Sequence, residues 1–86
     1  MPEVSRFYGI VVLFFYDDHD PPHFHVRHGS TEASIEIVSS ALIEGRLAGR
    51  AAGLIREWAT LHRSELLENW RLVRMGLPPR KIAPLP

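Results

Sequence analysis

Eighty-six residues with no cysteine, ten basic and ten acidic side chains and 45% hydrophobic residues describe one small domain, residues 1–86, burying only about 60–65% of the surface its unfolded chain exposes. The missing thiol excludes disulfides, thiolate catalysis and cysteine-type zinc centres, so any metal would be held by nitrogen and oxygen. The net charge of zero conceals an acidic first half, with two arginines against seven acids in residues 1–45, and a basic second half, with eight cations against three acids in residues 46–86.

Met1 to Arg6 carries no basic region followed by an apolar stretch, and the longest apolar run, Ile10 to Tyr16, falls far short of a ~20-residue membrane span. A soluble cytoplasmic protein with no membrane contact is expected. Arg6 to Tyr16 is rich in Val, Ile, Phe and Tyr and reads as one strand running into the turn-forming Asp-Asp-His-Asp-Pro-Pro. Both faces of its second half are apolar, so its second face needs a cover of helices or another subunit. Pro21 and Pro22 make a stiff entry to the next strand.

His23 to His28 alternates, with Phe24 and Val26 on one face and His23, His25 and Arg27 on the other. Thr31 to Val38 alternates too, setting Ala33, Ile35 and Ile37 against Glu32, Ser34 and Glu36. Gly29-Ser30 suits a two-residue type II′ turn, because its first central position needs positive φ. That turn fixes the register: His28 opposes Thr31, Arg27 opposes Glu32, His25 opposes Ser34 and His23 opposes Glu36. Ser39 to Gly45 reads as a turn with a short fourth strand around Leu42 to Glu44.

From Leu47 the period becomes helical. Leu47, Ala51, Leu54, Ile55, Trp58 and Leu61 form one apolar stripe, and Leu66, Leu67, Trp70 and Val73 form another. The second is offset from the first by about 120°, at 100° per residue. A break at His62 to Ser64 is therefore expected, with His62 or Ser64 as amino-terminal cap of the second helix and both tryptophans in one core. Gly76 fits a carboxyl cap, and the proline-rich tail from about residue 77 should be extended, either docked or frayed. The fold expected is α+β: a small antiparallel sheet of three or four strands followed by two helices packed on one face.

Four of the five histidines and three of the ten acids fall between Asp17 and His28. Histidines crowded beside carboxylates suit proton transfer, metal binding or a pH-sensitive contact. The opening Pro2-Glu3-Val4-Ser5-Arg6-Phe7-Tyr8-Gly9, the string Asp18-His19-Asp20-Pro21-Pro22-His23-Phe24-His25-Val26 and the later Leu66-Leu67-Glu68-Asn69-Trp70 resemble a family of small bacterial proteins, the domain of unknown function DUF4160. The resemblance spans nearly the whole chain. It implies a stand-alone bacterial domain often encoded beside another small protein, in an arrangement similar to toxin–antitoxin pairs, and it implies no defined activity.

Three chemistries compete for the cluster. In a metal site, His23 and His25 lie about 6.5 to 7 Å apart along one strand face, and Glu36 or a loop aspartate would complete two histidines and one carboxylate. In a metal-independent ribonuclease-like toxin, His23 or His25 would act as base, His19 as acid, and Arg27 or Arg6 as the phosphate cation, with Tyr8 on the face of Arg6. Asp17, Asp18, Asp20, Glu32 and Glu36 would repel that phosphate.

In a binding module, the histidine-rich hairpin is a recognition surface together with Arg6, Tyr8, Asp18, Asp20 and Glu36. This third reading fits a small core best. The partner is then a small protein encoded nearby; a homo-oligomer with opposite halves meeting head to tail, or nucleic acid on the Arg-rich second half, are the alternatives. No cofactor is expected, a divalent metal being the one candidate. Trp58 and Trp70 read as core anchors.

Overall fold

A computed structural model describes residues 2–86. Five strands, β1 (Glu3–Phe7), β2 (Ile10–Leu13), β3 (His23–His28), β4 (Thr31–Glu36) and β5 (Leu42–Gly45), lie side by side in chain order, each antiparallel to the next. Two helices follow, α1 (Gly49–Leu61) and α2 (Arg63–Arg74). The class is α+β, but the sheet has five strands where three or four were expected.

The extra strand comes from Arg6 to Tyr16, which does not form a single strand. Tyr8 and Gly9 take φ of +50° and +78°, turning the chain so that Phe7 pairs with Ile10. Positive φ at both central positions is the type I′ geometry, whose usual sequence is Asn-Gly or Asp-Gly. With tyrosine in the first position, that signal is hidden.

The hairpin of β3 and β4 has the expected register, from His23 opposite Glu36 to His28 opposite Thr31. Alternation then sorts the two faces of the sheet. Val12, Phe24, Val26, Ala33 and Ile35 point inward, where they join Ile55 and Trp58 of α1 and Leu66, Trp70 and Val73 of α2 in one buried cluster. Both tryptophans thus reach the same core, because the chain breaks between the helices at His62 (φ −117°, ψ 26°). His62 holds the cap position without a side-chain bond to the helix backbone; its Nδ1–H instead donates to the Glu65 carboxylate. Ser64 lies inside α2 and is not the cap.

The end of α2 follows the pattern expected of a glycine cap. Gly76 N–H donates to Val73 O and Leu77 N–H to Leu72 O, at 3.0 and 2.9 Å, the paired bonds of a Schellman motif. The tail then docks. Ile82 N–H donates to Val4 O at 2.8 Å, which covers the free edge of β1, while Ile82 and Leu85 enter the core cluster.

Asn69, 1% exposed, clamps the tail in both directions. Its Nδ2–H donates to Arg80 O at 2.9 Å and its Oδ1 accepts Arg80 N–H at 2.8 Å. Asn69→Ala should cost about 1–3 kcal/mol, the usual effect of stripping partners from buried polar groups. Trypsin cleavage after Arg80 or Lys81 should accelerate in parallel. Unchanged cleavage would mean that the tail is held without this clamp.

At the opposite edge, β5 packs closely against β4. A Cβ on Gly45, whose φ is +86°, would lie 2.2 Å from Glu32 O, so only glycine lets the two backbones approach here. Beyond Gly45 the chain turns toward α1. All four residues of β5 are exposed, and among the described residues it pairs on one side only, with β4.

Candidate functional site

The outward face of the sheet carries Leu13, His25 and Ser34 in one cross-strand row. Leu13 is only 4% exposed, so the apolar outer face of the first hairpin is covered within the chain at this point. After β2 the chain runs through Phe14 and Phe15 into the acidic turn. The Phe15 ring stacks on His25, with centroids 3.9 Å apart and planes 21° from parallel. The turn then brings Asp18 back over the row.

Asp18, His23 and His25 form the centre. Asp18 Oδ2 lies 2.7 Å from His25 Nε2 and 3.3 Å from His23 Nε2. One potential ligand atom from each of the three residues lies within 4.8 Å of the others. The side chains are mostly buried, at 19%, 12% and 17% exposure for Asp18, His23 and His25, although both histidines lie on the polar face of the hairpin.

Each imidazole is also fixed from behind. His23 Nδ1–H donates to Pro21 O at 2.7 Å, and His25 Nδ1 meets Ser34 Oγ at 3.2 Å. The Asp20–Pro21 peptide is cis. Trp70 forms a further wall, its ring centroid 5.2 Å from that of His23, and the Arg74 guanidinium lies 5.4 Å above the Trp70 ring while pairing with Asp20 at 3.4 Å. Thus α2, β3 and the acidic turn meet at the site.

The other candidate residues are distributed differently. His19 is exposed, outside the cluster. Glu36 opposes His23 in register, but its carboxylate accepts the Ser39 hydroxyl, and the cluster's carboxylate is Asp18. Arg27 pairs with Glu32 at 3.3 Å. Arg6 makes a two-point contact with Glu3, at 3.0 and 2.8 Å. That hydrogen bond holds the Glu3 carboxyl below its ordinary range. The resulting small contribution is present above the unfolded carboxyl's range and lost as pH falls through the folded value. Tyr8 sits at the far turn, where its hydroxyl donates to Pro86 O at 2.7 Å.

Phe15, Ser34 and Trp70 belong to the site without having been singled out for it. Ser34 was legible as the cross-strand partner of His25. Phe15, two residues after Leu13 and on the same side of an extended chain, could have been found by prolonging the register. The path of the acidic turn carries no comparable periodic signal.

An open groove of ≈ 300 Å³ lies beside the centre, lined by Phe15, His25, Glu32, Ser34, Glu44 and Gly45. It connects the histidine to the unpaired edge of the sheet. Among the described residues no helix is long and apolar enough to cross a membrane.

Fold and site together define a class: a five-stranded antiparallel meander backed by two helices, with a mostly buried histidine–carboxylate centre on the face away from the main core. Residues 9–71 match the family model described as a domain of unknown function, DUF4160, and the chain belongs to that family. No curated protein and no solved structure matches it.

Proposed function

We propose that this domain is a bacterial, cytoplasmic toxin–antitoxin-type binding module that acts through a small partner protein encoded beside it, with the Asp18–His23–His25 centre as the site the partner governs. The continuity between the His25 groove and β5 carries this reading. An unpaired strand invites addition of a strand from another chain, which gains backbone hydrogen bonds along the edge. Such edges are commonly blunted by Pro, Lys or a bulge that twists them away. β5 carries one irregularity, an extra residue at Ile43 between the pairs Ser34–Glu44 and Ile35–Leu42, but no Pro or Lys; it offers Leu42 and Ile43, 53% and 47% exposed, and only Glu44 as a charge. A strand seated there would border the groove and restrict access to His25.

The ribonuclease-like alternative has less support. Arg27 and Arg6, its phosphate cations, are paired with Glu32 and Glu3, and the cluster sits among acids.

Growth under separate and joint induction tests the reading. The chain alone should slow growth and its neighbour should restore it. A Leu42→Lys, Ile43→Lys double variant should escape rescue and fail to co-elute with the neighbour, with stability within about 0.5 kcal/mol per exposed substitution. Absence of any growth effect under either regime would exclude the pair.

A further inference from the structure

We infer that Asp18, His23 and His25 form a binding site for a divalent transition metal, a property of this chain alone that goes beyond the partner reading and does not require a partner on β5. Hydrogen-bond bookkeeping leads to the ion. Pro21 O can only accept, so His23 Nδ1 must carry a hydrogen to satisfy the 2.7 Å contact. In neutral His23 that leaves Nε2 as a lone pair, and 3.3 Å from it lies a carboxylate oxygen, also an acceptor. Two acceptors facing each other in a mostly buried pocket repel unless positive charge lies between them.

A single proton on His23 Nε2 would relieve that one contact. A metal relieves it and also uses the third member. His25 Nε2 lies 2.7 Å from the same Asp18 oxygen, and a hydroxyl that can donate or accept meets its Nδ1 at 3.2 Å. With Ser34 Oγ accepting from Nδ1–H, the Nε2 lone pair of His25 joins that of His23. Metal-ligating histidines characteristically tie their far nitrogen to a carbonyl or similar group in this way.

The spacing fits as well. Ligand atoms each about 2.1 Å from one ion, at tetrahedral or octahedral angles, stand roughly 3.0 to 3.4 Å apart. Of the observed separations, 3.3 Å lies inside this range and 2.7 Å just below it, and all three atoms lie within 4.8 Å of one another. Two imidazoles and a carboxylate select zinc and neighbouring first-row ions over calcium or magnesium, which prefer all-oxygen sites. Three protein ligands leave at least one coordination position open. Glu36, engaged with Ser39, is no ligand.

Calorimetric titration of the purified, chelator-treated chain with Zn²⁺ should show one ion per chain. Asp18→Asn and His23→Gln should each weaken binding at least about tenfold, while Glu36→Gln and His19→Gln leave it unchanged. Co²⁺ absorption of the wild-type chain gives a readout that does not depend on a variant's folding: visible d–d bands that differ from those of the hydrated ion are expected, displaced by one equivalent of Zn²⁺. No stoichiometric Zn²⁺ binding, a hydrated-ion cobalt spectrum, or equal affinity in folded Asp18→Asn would overturn the site.

Discussion

Trp58→Ala should lower stability by about 3–5 kcal/mol, the usual cost of deleting a large buried aromatic. Few side chains join so many parts of this domain. Trp58 is fully buried, lies 5.4 Å from Phe7 of β1 and 6.0 Å from Phe24 of β3 between ring centroids, and donates its Nε1–H to Ala83 O of the tail at 2.8 Å. At roughly 0.05–0.15 kcal/mol per residue, a chain of this length has about 4–13 kcal/mol in total, so the variant should be marginally folded. Trp58→Phe keeps much of the apolar contact but removes the hydrogen bond to Ala83, and should lose about 1–2 kcal/mol. Urea unfolding measures both. A loss below about 1 kcal/mol for alanine would mean that sheet, helix and tail do not share this anchor.

Where regular spacing constrains the chain, its sequence is legible. Alternation from His23 to Glu36, with glycine at the first turn position, defines a register in which a slip of one residue would expose Phe24 and Val26, so the hairpin could be read directly. The phase change between Trp58 and Trp70 likewise points to the break at His62, since only a bend brings both rings to one core. Less could be read where geometry depends on unusual residues or on tertiary fit. A tyrosine at positive φ conceals the turn that separates β1 from β2. Ile82 and Leu85 stand among prolines with no helical or strand period, although the core accepts both.

The candidate site divides along the same line. His23 and His25 were legible as a pair because a strand fixes their common face. Their carboxylate was legible only as a choice between Glu36 and a loop aspartate, because Glu36 opposes His23 in register whereas Asp18 reaches the imidazoles only through the fold of an aperiodic turn. Register sets Cα partners, not side-chain hydrogen bonds, and Ser39 takes the Glu36 carboxylate. Burial of the histidines beneath Phe15 and beside Trp70 also sets the outcome of removing them. Replacing both with alanine would leave Asp18 without partners in a mostly buried pocket, so that double variant should lose stability as well as function.

Asp18→Asn is therefore the cleaner probe of the working centre. It keeps the size of the side chain but removes the negative charge that faces both imidazoles, at 2.7 and 3.3 Å. Its effect on function should far exceed its cost in stability, about 1.5–3 kcal/mol for a hydrogen bond to a charged group. The deciding measurement is growth after induction of wild-type and Asp18→Asn chains at matched soluble levels, with circular dichroism confirming that the variant is folded. Slowed growth with the wild type and normal growth with the variant is the result expected of a site centred on Asp18, His23 and His25. Equal inhibition by both would contradict it.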